Sequence, residues 1–171
     1  MTTLVLTVIG DDRSGIVNAL AEVAAAHDGN WERSQMARLG GKFAGVVQVS
    51  VPTASAAALT AALAALGEDG VLDVRVDAAG TEPVANGDRF VLSLVGTDRP
   101  GLVHSVSAAL AEMGASIEEL DTATSDAPMS GGPLFEATAA VVLPSGVSID
   151  AVRDRLEALA DRLMVDIDLS N

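Results

Sequence analysis

Residues 3–9 are apolar and partly β-branched and end at Gly10, the pattern of a buried strand. Ile16, Val17, Leu20, Val23, Ala24 and His27 then recur at helical spacing, and Gly29 supplies a stop. Two strand-like runs follow over residues 30–39 and 42–51, joined at Gly40-Gly41, a hairpin signal. Val47, Val49 and Val51 alternate with Gln48 and Ser50, so that strand has one buried face. Pro52-Thr53 opens a second helical stretch with Leu59, Leu63 and Leu66 on its core stripe. Val71 to Asp77 closes the unit as a strand, with Leu72, Val74 and Val76 facing inward.

The same order then runs a second time. Gly10, Asp12, Arg13 and Gly15 recur as Gly96, Asp98, Arg99 and Gly101, an offset of 86 residues. The offset holds at Asn30 against Ser116 and grows to 92 at Phe43 against Phe135, so the second copy has gained six residues. Repetition of this kind is read before anything else, because it decides the architecture. The second copy predicts strand 89–95, helix 100–113, strands near 116–124 and 134–143, helix 149–162 and strand 164–169. Domains are therefore expected at 1–79 and 89–171, with a polar, breaker-rich linker at 80–88.

A β-α-β-β-α-β order is that of the ferredoxin-like fold, an α+β class with two helices on one face of a four-stranded antiparallel sheet. The other face and the edge strands of each sheet then need cover, which a partner unit or a further copy of the chain could supply.

Composition narrows the function. Apolar residues make up 49% of the chain, but with three Phe, one Trp and no Tyr the core must be aliphatic. A formal charge of −14 would repel nucleic acid and anionic membrane surfaces, so neither is an expected partner. Without cysteine there is no disulfide, zinc ribbon or thiol nucleophile. The start of the chain has neither a basic leader nor a cleavage site, and no apolar run approaches the ~20 residues of a membrane span. The expected location is the cytoplasm.

The candidate chemistry sits where the first strand of each copy hands over to its helix. Backbone N–H groups at a helix start lack intrahelical partners, and the dipole there favours a negative group such as an amino-acid carboxylate. Gly15 and Gly101 would let a ligand reach the backbone. Asp12 and Asp98 could accept from an ammonium group, and Arg13 and Arg99 could reach a carboxylate or fix the loop. The bland alternative has equal weight: Asp12, Ser14 and Asp98 as N-caps, with Pro100 in a first helical turn. Asn30 and Ser116 open the next strand and are expected to return near the turn, Asn30 offering both a donor and an acceptor.

The Gly-x-Asp-Arg-x-Gly turn within a βαββαβ pattern resembles the ACT domain, a regulatory amino-acid-binding module. The tandem pair, with Ala127 to Phe135 as an insertion, resembles the glycine cleavage system transcriptional repressor family. The resemblance implies a non-catalytic sensor of a small amino acid, with glycine the candidate, acting through a DNA-binding activator rather than on DNA. It implies one site lined by Asp12, Arg13, Gly15, Ile16 and Asn30, with Ser14 of the same turn a further binding candidate, and another by Asp98, Arg99, Gly101, Leu102 and Ser116. Ser116 stands where such domains often carry Asn, which weakens the second site. The insertion is either a plain loop or a lid or partner contact centred on Met129 and Phe135.

No cofactor or metal is expected: neither His27 nor His104 has a partner at ligand spacing. Gly10-x-x-x-x-Gly15 runs into Ile16 rather than Lys, so it is not a P-loop. Glu118 and Glu119 are strand neighbours pointing to opposite faces, a poor acid–base pair. The competing classes are a ligand-free assembly module and, further off, a small enzyme on the same scaffold.

Overall fold

The structure is a computed structural model that describes residues 1–68, 70, 72–80, 87–126 and 131–170. The middle of the expected linker, Val71, and the expected Met129 contact lie outside the described residues. Chain contacts divide the molecule into two units, Met1–Glu82 and Pro83–Asn171.

The first unit runs β1 (Thr2–Asp11), α1 (Ile16–Ala26), β2 (Asn30–Leu39), β3 (Lys42–Val51), α2 (Ala56–Ala65) and β4 (Leu72–Ala78). The second runs β5 (Gly87–Thr97), α3 (Leu102–Glu112), β6 (Ser116–Asp126), β7 (Pro133–Pro144), α4 (Ile149–Leu163) and β8 (Val165–Ser170). Each is a four-stranded antiparallel sheet, ordered β2-β3-β1-β4 and β6-β7-β5-β8. Both units are ferredoxin-like, as the pattern predicts.

Alternation places the cores. In the first unit Leu6, Val47, Val49 and Val51 lose all exposure against Leu20 of α1 and Leu59 and Leu63 of α2. In the second, Leu92, Leu94, Val141 and Leu143 meet Leu110, Val152 and Leu156. Burying each such aliphatic side chain contributes roughly 1.5–3 kcal/mol. Both helices of a unit thus lie on one face of its sheet. Gly40 and Gly41, with φ of 58° and 78°, close the β2–β3 hairpin in two residues, a turn that demands positive φ twice.

Two local expectations change. The left-handed residue after α1 is Asp28, at φ 58°, not Gly29. Gly29 is required for space instead, since a Cβ there would lie 2.8 Å from the Ala24 carbonyl oxygen. In addition, α2 begins at Ala56, after a turn over residues 53–55, rather than at Pro52-Thr53.

Candidate functional site

The handover from β1 to α1 is held from two sides. The Asp12 N–H donates to the Gly41 carbonyl at 2.9 Å, tying the turn to the β2–β3 hairpin. Lys42 Nζ stands 2.5 Å from Asp11 Oδ1, and Arg38 Nη1 lies 3.3 Å from Asp12 Oδ2. The hydrogen bond from Lys42, reinforced by its charge, holds the Asp11 carboxyl below the ordinary aspartate range. These two cations offset the acids that would otherwise repel an anion at the turn.

The helix start itself is uncapped. Gly15 occupies the N-cap at φ 90°, ψ 0°, a left-handed conformation that a side chain rarely adopts, and no side chain caps the end. Gly101 repeats this at φ 92°, ψ 1°. Asp12, Ser14 and Asp98 are therefore not N-caps, and Pro100 precedes the helix rather than entering its first turn. The reason is positional: the glycine, one step after Ser14 or Pro100, takes the cap and turns the chain with a positive φ. The first intrahelical bonds run from Ala19 to Gly15 and from Ser105 to Gly101, both at 2.9 Å. The N–H groups of Ile16, Val17 and Asn18, and of Leu102, Val103 and His104, thus precede the helical ladder. Nothing lies within 4 Å of where a Cβ at Gly15 or Gly101 would stand, so the turn is open above the backbone.

The two copies differ in their cations. Arg99 donates to the carbonyl oxygen of Leu163, the last residue of α4, and so fixes its own loop. Arg13 is exposed and makes no hydrogen bond or ion pair among the described residues. Asp98 keeps the backbone tether, donating to the Pro133 carbonyl at 2.8 Å. It has no counterpart to the Arg38 clamp, because the aligned position is Thr124. Ile16 and Leu102 turn their side chains into the cores, at 4% and 3% exposure, and offer the site only backbone.

Asn30 and Ser116 do not return to the turn. Asn30 pairs with Ser50, and Ser50 with Thr3, whereas Gly10 pairs with Phe43 at the other end of β1. The step from Thr3 to Gly10 spans about 23 Å at about 3.3 Å per residue. Ser116 sits likewise opposite Val142 and Arg89, a full strand away from Gly96. The helix carries the chain back along the sheet, so the next strand starts at the far end. The turn and these residues cannot line one site within one unit.

The remaining candidates have structural roles. His27 Nδ1 donates to the Val23 carbonyl at 2.8 Å, closing the end of α1. A bulge between Ile117 and Glu119 breaks simple alternation on β6, and Glu118 pairs with Arg89 at 3.1 Å. Trp31 and Phe135 pack against their cores. Among the described residues no group of acids and histidines could hold a metal ion, and no helix is long and apolar enough to cross a membrane. Arg38, Lys42 and Gly41 were not candidates, since their relation to the turn arises only from pairing with β1.

Comparison with known proteins agrees with this architecture. The sequence model of the ACT domain matches residues 2–77 and 88–170, one match for each unit. A UPF0237 protein of Methanopyrus kandleri is 35% identical over 81 residues, covering 46% of this chain and 82% of that protein. The crystal structure of an unknown protein from Galdieria sulphuraria superposes with a TM-score of 0.83 at 32% identity, covering 99% of this chain and 97% of the other. That of a candidate glycine cleavage system transcriptional repressor gives a TM-score of 0.73 at 21% identity, covering 99% and 98%. This last likeness shows the fold.

Proposed function

The chain belongs to the ACT-domain family, and on that footing we propose that it is a non-catalytic regulatory protein that binds a small amino acid at the β1–α1 turn. The observation that carries this reading is the uncapped start of α1 beside an unpaired Arg13. Free N–H groups, the helix dipole and a guanidinium together suit a carboxylate. Glycine is the candidate ligand, because its short side leaves only the carboxylate and ammonium to be recognised. The first turn is the better site, since Arg99 in the second is engaged with Leu163.

Asn30 lies a strand's length from the turn of its own unit, so this reading takes the turn and the Asn30 of a site from different units and includes a homo-oligomer. Ligand at that contact would favour one arrangement over another and pass the state to a protein partner. A DNA-binding activator in control of glycine cleavage is the proposed partner, and a cytoplasmic location goes with it. The acidic surface supports action through protein rather than on DNA.

A thermal-shift panel of the common amino acids tests this. A ligand at 100 times its dissociation constant stabilises the folded state by about 2.7 kcal/mol. The shift is expected with glycine or another small amino acid, and Arg13→Ala should remove it. Flat curves at millimolar concentration across the panel would overturn the reading in favour of a ligand-free assembly module. Light scattering with and without the responding amino acid tests the oligomer.

A further inference from the structure

The two units differ at the corner where the first strand of each begins. In the first, the Thr2 hydroxyl at the head of β1 donates to the Thr53 hydroxyl in the β3–α2 turn at 3.1 Å. The aligned residues of the second unit are Asp88, at the head of β5, and Ser145, in the β7–α4 turn. Both turns are closed by the same bond, from the Ser55 N–H to the Pro52 carbonyl and from the Val147 N–H to the Pro144 carbonyl. Their middles differ: Gly146 stands at φ 91°, where the aligned Ala54 has no positive φ. A positive φ at the third residue marks a type II turn, whose central peptide is turned over relative to type I. Beside this turn lies a cavity of about 350 Å³, lined by Asp88, Phe90, Leu143, Val147 and Ile149 among others.

Register fixes how the lining is disposed. Asp88 pairs with Leu143, and Phe90 follows it on the same face of β5, the side that the helices cover. Phe90 and Leu143 are buried, and Val147 and Ile149 are half-buried against the same core. Asp88 is exposed and makes no hydrogen bond or ion pair among the described residues. No Lys, Arg or His is among the described residues that line the cavity. It therefore has an apolar wall inside and an unpaired carboxylate at its mouth. The step along β5 from Asp88 to Gly96 spans about 26 Å at about 3.3 Å per residue, so the cavity is separate from the β5–α3 turn.

We propose that this cavity binds a small organic cation, a primary ammonium joined to a short apolar chain. The ammonium donates to Asp88, and the chain lies against Phe90, Val147 and Ile149. The volume stands at the lower end of the range for small-molecule sites, which suits an occupant of few carbons rather than a peptide. A carboxylate on the same carbon skeleton would be repelled by Asp88, in a chain whose formal charge is already −14. An amine is therefore favoured over the matching amino acid. The site is independent of the amino-acid reading of the β1–α1 turn.

The probe is isoamylamine, titrated into the chain and followed by the amide signals in two-dimensional NMR spectra. Shifts should saturate at residues 88–90 and 145–149. Isoamyl alcohol, which lacks the charge, and leucine, which adds the carboxylate, should each bind about tenfold more weakly. Asp88→Asn should weaken the amine about tenfold, and so should Asp88→Thr, which installs the residue of the first unit. Both changes fall at an exposed position, and the spectra away from the cavity should match those of the wild type. Both variants should keep any thermal shift with glycine, which separates failure here from failure of the first turn. Equal affinity for amine and alcohol, full affinity in Asp88→Asn, or saturable shifts only at residues 11–18 would overturn the proposal. So would shifts that never saturate, the mark of non-specific contact between an amine and an acidic surface.

Discussion

Arg99 reaches across the second unit to the carbonyl of Leu163, while Arg13, its counterpart in the first unit, has no such partner. One duplicated residue therefore ties a helix end in one copy and stands open to solvent in the other. A charge-assisted bond to a helix C-terminal carbonyl satisfies an orphan acceptor and suits the dipole. Arg99→Ala should lower stability by about 1–2 kcal/mol. Arg13→Ala should change it by less than about 0.5 kcal/mol. Urea denaturation of the two variants checks the contrast, and equal losses would remove the distinction between the turns.

Gly15 and Gly101 are needed for their backbone angles and not for room. A Cβ at either would meet nothing within 4 Å, yet both sit near φ 90°. Gly15→Ala and Gly101→Ala should each cost about 1–2 kcal/mol through left-handed strain alone. Thermal melts of the two variants should show similar losses, and an unchanged melting temperature would contradict the geometry.

Gly45 presents the opposite case. A Cβ there would lie 2.3 Å from the Gln35 carbonyl oxygen and 2.6 Å from Met36 Cγ, on an ordinary strand backbone. Gly45→Ala must push β2 away from β3 and should cost about 1–3 kcal/mol by overpacking. Hydrogen exchange should rise first at the β2–β3 amides. Faster exchange confined to another part of the sheet would argue against the close approach.

Among the described residues of the first unit, two carboxyls are held below their ordinary range. Asp11 is held down by the hydrogen bond and charge of Lys42, and Glu32 by hydrogen bonds from Ser50 and then Gln48. A lowered folded-state value adds stability that is present above the unfolded value and lost as pH falls through the folded one. Lys42→Met and Gln48→Leu should therefore differ most from wild type near neutrality, with the difference closing in acid below the usual carboxylate range. The Lys42 effect should also shrink at high salt, because both partners are exposed. A gap that widens in acid would reverse the sign and rule this out.

Legibility followed the range of the interaction. Leu59 and Leu63 on one helical stripe, and Val47, Val49 and Val51 on one strand face, were readable because burial repeats at the element's own period. The turn was readable as a place through its repeated Gly, Asp and Arg, but its capping was not. Asp12 and Ser14 have the chemistry of N-caps, yet the chain turns at Gly15 and leaves them outside the helix. That depends on a single positive φ, which composition does not encode.

Alone, the sequence determined that the chain is a duplicated βαββαβ unit with an aliphatic core and an acidic surface. Those properties come from periodicity, repetition and summed charge, all of which are local or additive. Only the tertiary structure decided what stands beside what. It brought Arg38, Lys42 and Gly41 to the first turn, committed Arg99 to α4, and carried Asn30 to the far end of the sheet. The physical reason is that a helix returning along an antiparallel sheet spends its length before the next strand begins. Residues on either side of that helix are therefore parted by the length of the strand, whatever their chemistry suggests.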